Sequence, residues 1–537
     1  MNNPKKTSII SNNKFIISIF FSLYLFGLFL SKDYGISWDE NARRIGAKSH
    51  AKEFVQFFGI YHPIIDEIPA VKDNYFATDG PYGMIYEFPA LLFEMINGKE
   101  NTRETFLFRH KLIFTFHFIG IIAFFLFSRE IFYSINKAVI TTLIFSLHPR
   151  IFAHSFFNPK DIIFLSLVTM SLLPIAKYIN TKKVCWLIWA SIFIGLAMSC
   201  RIVGIYLAFL LIILFVIKYF HEHPLKIDQI YYPFKIGILI ISISILTLYL
   251  ATPYFWLDPL GRFIEAFNKA SRFPWAGSVF FFGDSISAKS IPWYYIIVWI
   301  GITTPISFLL FFLFGTIISM KELKMNLTQK PMIIFCFFGL IIPIIMAIIL
   351  KSVLYDGWRH FYFVYPFICI LTGNGLFGLF KIITLKKKFY FELLILSIFF
   401  SGVVIDIVRM HPFQQVYFNK LAGSAPMMHF EGDYWGTSYR QGLEYLLEND
   451  TSEKIYVAVE NDPGATNRHI IPNLDKKRLI YEYMPQWNEK PDYLITNFRT
   501  KNRVNIMRAA REKIEPYDNE FYSISLGNMK ILGIYKN

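Results

Sequence analysis

The chain has 537 residues, of which 54% are hydrophobic and 18% aromatic, and carries a net charge of +15. Its apolar residues come in runs of ~17–25, the length that crosses a bilayer, which excludes a soluble protein and indicates a polytopic membrane protein. The charge does not point to nucleic acid, because the lysines lie mostly in short loops between apolar runs, where positive residues orient membrane helices.

The apolar runs predict about eleven transmembrane helices, near 15–31, 110–128, 137–153, 161–178, 184–200, 202–219, 233–251, 292–318, 331–350, 360–380 and 389–408. Leu28-Phe29-Leu30-Ser31-Lys32-Asp33 offers no small-x-small cleavage site, so the first run is expected to stay as an anchor. One set of loops holds Lys5, Lys6, Lys14, Lys177, Lys182, Lys183, Lys321, Lys324, Lys330, Lys381 and Lys386 to Lys388. The positive-inside rule makes that set cytoplasmic. The loop 32–108, the loop 252–291 and the C-terminus are then expected outside. Residues 40–58 and 84–96 mix apolar and polar positions at helical spacing and predict helices lying in the interface, with turn chemistry at 74–83 between them. After Arg409 the chain turns polar. Strand-like runs at 454–459, 493–496 and 529–535, with a helical stretch at 437–447, predict a small α/β domain. The expected division is 1–408 for the membrane domain and 409–537 for an extracytoplasmic domain. Cys185, Cys200, Cys336 and Cys369 fall in or beside apolar runs at no metal-ligand spacing, so neither a disulfide framework nor a zinc site is expected.

Several polar constellations sit at the expected outer rim. Asp39 and Glu40 follow the first run in Ser37-Trp38-Asp39-Glu40. The pattern S-x-x-E is also a capping box, which would hold Asp39 at a helix start without excluding it from chemistry. A carboxylate there can take a proton from a water-soluble acceptor while a lipid-borne donor arrives from the bilayer. The loop from His148 to Asp161 carries Arg150, His154, Lys160 and Asp161. Asn158-Pro159 followed by Asp161 reads equally as helix capping, yet positive charge at depth is costly unless an anion such as a lipid phosphate meets it. Lys351 and Tyr355-Asp356-Gly357-Trp358-Arg359-His360 offer cations for phosphate and an indole for a sugar face, against the alternative of an aromatic belt with snorkelling basic residues. Arg201 is a lone cation between two apolar runs. His411, Asn419, Asp433 and Trp435 follow the last run and are candidates for acceptor contact. The chain contains no P-loop, no HExxH and no G-x-S-x-G.

In their order, these motifs resemble the polyprenyl-phosphate-dependent GT-C glycosyltransferases. The narrower resemblance is to family 39, with the protein O-mannosyltransferases and the bacterial lipid A aminoarabinose transferases. It rests on Asp39-Glu40 in the first outer loop, the interfacial helices after it, Asp161 opening the fourth run, Arg201, Tyr355 to His360, and His411-Pro412 to Gly436. The C-terminal region departs from the MIR repeats of the eukaryotic mannosyltransferases. The resemblance implies an inverting displacement at an anomeric carbon with Asp39 as general base, and Glu40 and Asp161 orienting acceptor or base. Arg150, Lys160, Arg201, Lys351, Arg359 and His360 would hold the donor phosphate, and Asp356, Trp358, Asp433 and Trp435 the sugar or acceptor. The implied partners are membrane lipids, a polyprenyl-phosphate-linked sugar and a protein, lipid or glycan acceptor. The implied place is a bacterial inner membrane with the site facing the periplasm or exterior. No cofactor is required by that chemistry, and a divalent ion between acids and phosphate stays open. The rival class is a transporter or flippase of lipid-linked saccharides, which calls for midplane acids and two related halves.

Overall fold

The computed structural model describes residues 5–59, 80–97, 102–223, 230–271, 275–325, 331–383, 388–483, 491–499, 512–514 and 516–537. Residues 74–79 of the expected turn, and Lys330, Lys386 and Lys387 of the orienting set, lie outside them.

The helices are α1 (Lys5–Leu30), α2 (Trp38–Phe58), α3 (Glu87–Asn97), α4 (Arg103–Phe132), α5 (Ile135–Ser146), α6 (Pro149–Phe157), α7 (Asp161–Thr181), α8 (Val184–Cys200) and α9 (Ile205–Glu222). They continue with α10 (Tyr231–Ala251), α11 (Pro259–Ser271), α12 (Tyr295–Thr303), α13 (Ile306–Met325), α14 (Pro331–Ile349), α15 (Tyr365–Ile382) and α16 (Lys388–Arg409). Among the described residues, 8 are long and apolar enough to cross a membrane, and α5, α8 and α13 are shorter apolar helices. Two expected spans are broken. The run 137–153 divides between α5 and α6 at His148-Pro149, and 292–318 divides between α12 and α13 at Thr304-Pro305. In both, the residue before proline is pushed out of helical geometry: His148 has ψ 115° and Thr304 ψ 137°.

Helices form over both segments expected to lie in the interface, as α2 and α3, and α2 has two unlike faces. Its charged face is buried: Arg44 pairs with Glu94 of α3 at 2.7 Å, and Arg109 of α4 reaches Glu87 at 2.5 Å and Glu94 at 3.0 Å. Its other face exposes Phe54, Phe57 and Phe58, which gather round Trp256. The helix is thus amphipathic in reverse, with ion pairs inward and aromatic rings outward. Helix α11 exposes Leu260, Ile264 and Phe267 along one face in the same manner. A short hairpin, β1 (Ser278–Phe281) and β2 (Asp284–Ser287), follows it.

The C-terminal region carries α17 (Tyr439–Asn449), β3 (Ile455–Val459), two short helices, β4 (Leu479–Tyr483), β5 (Tyr493–Thr496), β6 (Glu520–Leu526) and β7 (Met529–Lys536). Strand order is β4-β3-β5-β7-β6, with β3 parallel to both β4 and β5, and β7 antiparallel to β5 and β6. The expected boundary at 409 is not sharp in packing. Phe430, Tyr434 and Trp435 join the core of the helix bundle, whereas Phe413, Val416 and Met427 join the core under the sheet.

This region clasps the segment between α1 and α2. Asn467 accepts the Ile36 N–H at 2.8 Å and returns a bond to the Ile36 carbonyl at 2.9 Å. Arg440 donates to the carbonyls of Lys32 and Tyr34, and Gln441 to that of Asp33. Gly35 permits the approach, since a Cβ there would lie 2.3 Å from the Thr437 carbonyl oxygen. The clasp fixes where α2 begins, and therefore where Asp39 sits.

Candidate active site

Adjacent residues on a helix point about 100° apart, so Asp39 and Glu40 face different neighbours. Glu40 turns inward and is fully buried. Its carboxylate accepts the Ser37 N–H at 2.7 Å, the capping-box bond that S-x-x-E predicts, and lies 3.1 Å from His110 Nε2. Asp39 keeps 21% of its side chain exposed and meets Arg359 Nη1 at 3.4 Å.

Arg359 is the hub. Its guanidinium lies 2.8 Å from Asp161, 3.4 Å from Asp39 and 3.4 Å from Asp356. The rings of Tyr355, Trp435 and Tyr434 surround it at 4.6, 4.9 and 5.5 Å. A guanidinium held by three carboxylates and three π faces is fixed in place as well as compensated. The turn before it is built for this. Asp356 and Gly357 take φ +56° and +65°, consecutive left-handed residues for which Asp-Gly is a preferred pair. Burial pushes the Asp356 carboxyl up to about 7, a rise that the Arg359 charge opposes.

Asp161 opens α7 and binds two cations at once, Arg359 and Arg201, the latter reaching its other carboxylate oxygen. Asn158 completes the arrangement. Its carbonyl oxygen accepts the N–H groups of Lys160 and Asp161 at 3.2 and 2.9 Å, while its amide nitrogen donates to Asp161 at 3.0 Å. Asn158 is not the N-cap that the sequence suggested, since α7 starts at Asp161 with Lys160 as N-cap; it ends α6, and its side chain turns the chain into α7 and positions the carboxylate that Arg201 and Arg359 share.

Next to this cluster lies a cavity of about 390 Å³. Its polar end carries Lys160, Arg201, Tyr82 and His360, and Lys160 Nζ sits 3.3 Å from the centre of the Tyr82 ring. Tyr206, Phe209, Ile342, Met346, Ala347 and Leu350 make an apolar wall, and α11 contributes Ala266, Phe267 and Lys269. The cluster of Lys160, Arg201 and His360 suits an anion, and the apolar wall suits hydrocarbon.

The structure thus brings together Asp39, Asp161, Asp356, Lys160, Arg201, Arg359 and His360 of the expected residues. Others stand differently. Arg150 is buried away from the cavity lining, donating to the Tyr417 carbonyl at 2.9 Å and stacking on Phe418 at 4.7 Å and Trp299 at 5.2 Å. Lys351 is exposed in the turn after α14, where Leu350 and Ser352 rather than Lys351 line the cavity. Trp358 was expected to offer a face to a sugar, but it is 1% exposed and its indole N–H donates to Thr303 at 2.9 Å. Trp435, equally buried, packs on His154 and Phe157 beneath Arg359. Asp433 accepts from the Ser438 N–H and from Gln415, at 3.0 and 3.2 Å, and so caps a turn. Burial raises its carboxyl above the ordinary range. His411 meets Asp33 at 3.1 Å, and Asn419 donates to the carbonyls of Gly301 and Thr304, so both brace the scaffold. The structure thus places these residues apart from the cavity lining, through burial that the sequence expectation had no means of seeing.

The sequence reading gave no role to Tyr82, Lys269 or Arg499, and it named Tyr434 only within the segment 431–436. Arg499 lies 3.7 Å from the centre of the Tyr434 ring and 4.8 Å from that of Trp38. Tyr82 and Tyr434 flank glycine-containing turns, a signal shared with many unrelated loops. Among the described residues, no group of three or more His, Cys, Asp or Glu side chains is arranged to hold a metal ion.

Residues 112–247 match the family model described as dolichyl-phosphate-mannose-protein mannosyltransferase. That segment contains Arg150, Lys160, Asp161 and Arg201. No curated protein matches the chain. Among solved structures, ArnT from Cupriavidus metallidurans in the apo state is similar at 12% identity and TM-score 0.49, covering 97% of this chain and 98% of that one. The same protein bound to undecaprenyl phosphate is similar at 12% identity and TM-score 0.46, with 96% and 97% covered. The apo oligosaccharyltransferase of Archaeoglobus fulgidus is similar at 11% identity and TM-score 0.47, covering 86% of this chain and 64% of that one. The chain therefore spans less than two thirds of the archaeal protein.

Proposed function

We propose that the protein is a membrane glycosyltransferase of the GT-C type that moves a sugar from a polyprenyl-phosphate donor to an acceptor hydroxyl. The observation that carries this reading is the cavity: a mostly apolar lining that includes Lys160, Arg201 and Lys269, with the Asp39–Arg359–Asp161 cluster beside Arg201. The family match over 112–247 supports a lipid-phosphate sugar donor.

In the mechanism that follows, the prenyl chain lies along Phe209, Ile342 and Met346, and the phosphate meets Lys160 and Arg201. The acceptor oxygen forms a bond to the anomeric carbon as the bond from that carbon to the phosphate oxygen breaks, inverting the centre. Asp39 takes the hydroxyl proton. Of the three carboxylates round Arg359, its side chain is the most exposed, at 21%, and its contact with the guanidinium is longer than that of Asp161. The electron pair leaves on the lipid phosphate, where fixed cations offset the charge. Asp161 orients Arg201 and Arg359, and Glu40 holds the helix start that carries the base. Under the positive-inside rule this end of the bundle faces out of the cytoplasm, across a bacterial inner membrane. Asp39→Asn tests the base. Transfer from a labelled undecaprenyl-phosphate sugar in membranes should fall by about 10²–10⁴, with the lipid phosphate still bound. Undiminished transfer would remove Asp39 from that role.

A further inference from the structure

The sheet domain turns a particular edge toward Asp39. In an open sheet with parallel strands, the crevice outside the carboxyl ends forms where neighbouring connections diverge, and ligands bind there. Here β3 lies between β4 and β5, parallel to both, and the chain leaves β3 toward β4 while β5 lies on the other side. Their carboxyl ends run into Glu460-Asn461 and into Asn497-Phe498-Arg499. The Asn461 amide donates to Asn497 at 2.8 Å, and the Asn497 amide donates to the Asp433 carbonyl at 2.8 Å. The crevice is thereby joined to the Asp433–Trp435 segment that covers Arg359.

Arg499 emerges from this crevice into the site. Phe498 takes φ +58°, and the next residue lays its guanidinium over Tyr434, whose ring Arg359 also approaches, and over Trp38, the neighbour of Asp39 in sequence. Two aromatic rings fix the position of this cation. Among the described residues no carboxylate lies within ion-pair distance of it, unlike Arg201 and Arg359, each of which has a carboxylate partner. A partly exposed guanidinium, preorganised by ring faces, with the Asp356 charge nearby but no carboxylate in contact among the described residues, is matched to a carboxylate or phosphate arriving from solution. It is absent from the cavity lining that suits the lipid donor.

We propose that Arg499 and the crevice at the carboxyl ends of β3 and β5 form the acceptor subsite, reading a negative charge, phosphate or carboxylate, that the acceptor carries near its reacting hydroxyl. This rests on the assignment of Asp39 to the acceptor side of the reaction. It gives the C-terminal domain a part in choosing what is glycosylated, and it separates two anion sites: Lys160 and Arg201 for the donor, Arg499 for the acceptor.

The test uses the full chain in nanodiscs loaded with undecaprenyl phosphate, so that the donor cavity is filled. Dissociation constants are measured for glucose 6-phosphate, glucuronate and glucose. The wild type should bind at least one charged sugar about tenfold more tightly than glucose. Arg499→Gln should bring the charged and neutral sugars to about the same affinity, and Arg499→Lys should retain an intermediate preference, as a point charge without the planar fork. Undecaprenyl phosphate affinity should be equal in Arg499→Gln and wild type, which also shows that the variant is folded. Equal binding of charged and neutral sugars by the wild type, or a preference that survives Arg499→Gln, overturns the proposal. So does a loss of undecaprenyl phosphate affinity in Arg499→Gln, which would put Arg499 on the donor. Failure of the wild type to bind undecaprenyl phosphate counts against the donor reading alone, and the charge preference still decides the role of Arg499.

Discussion

Replacing Asp161 by Asn removes one charge, changes almost no volume, and leaves two guanidiniums without the carboxylate they share. The side chains of Asp161, Arg359 and Arg201 are 1%, 2% and 13% exposed. Breaking a buried pair by deleting one partner costs about 3–5 kcal/mol, because the surviving charge stays in a poorly solvated place. Asp39→Asn should cost about 1 kcal/mol or less, since that carboxylate is 21% exposed and its contact is 3.4 Å. The two substitutions, alike on paper, therefore separate: Asp161→Asn lowers stability sharply, whereas Asp39→Asn lowers turnover and leaves stability nearly unchanged. Thermal unfolding in detergent reads this through a thiol-reactive dye, because Cys200, Cys336 and Cys369 are buried and only Cys185 is exposed, so a Cys185→Ser background is silent until unfolding. The pair Asp161→Asn with Arg201→Gln should be less unstable than the sum of its parts, by about 0.5–3 kcal/mol of coupling. Additive losses, or equal losses for the two aspartates, would refute the account of Asp161 as the shared anion.

Three further outcomes are expected. Arg201→Gln should weaken undecaprenyl phosphate binding roughly ten- to hundredfold, the equivalent of about 1.5–3 kcal/mol for one charge-assisted contact, as read by lipid competition in detergent. Ala347→Trp should fill the apolar part of the cavity and abolish binding of the lipid phosphate, while the unfolding midpoint of the protein stays near that of the wild type. Asp356 should make stability depend on pH. Its carboxyl is raised to about 7 in the folded protein, so its contribution is fully present below the unfolded value of about 3.9. That contribution is lost as pH rises through about 7, at no more than about 1.4 kcal/mol per pH unit. Asp356→Asn should flatten the decline in unfolding midpoint between pH 5 and 8, and an unchanged slope would count against burial as its cause.

What could be read from the chain followed from local rules. Ser37 to Glu40 announced a capped helix start, and its capping box is present; Asn158 to Asp161 announced another, and a helix does start there, but at Asp161 with Lys160 as its N-cap. Three C-terminal strands were visible as strand-like runs at 454–459, 493–496 and 529–535, and strands stand at Ile455–Val459, Tyr493–Thr496 and Met529–Lys536. Partnerships across the chain were not visible. Asp161 meets Arg359 over 198 positions, and no periodicity encodes that. Trp358 read as a sugar-stacking or interfacial ring and Trp435 as an acceptor contact, both of which suggest exposure, yet tertiary packing buries both. The breaks at His148-Pro149 and Thr304-Pro305 had a signal in the prolines, masked by apolar residues on both sides. Arg499 sits in a polar stretch where a single arginine carries no local information.

The bonds between Asn467 and Ile36 span 431 positions, so the residue that seats the proposed base is synthesised long after it. Every apolar helix, and every residue lining the cavity, is made before that bond can close. A ribosome that stops after α16 releases a bundle whose helices are complete but whose reactive corner is unset. The placement of Asp39 is thereby tied to finishing the message.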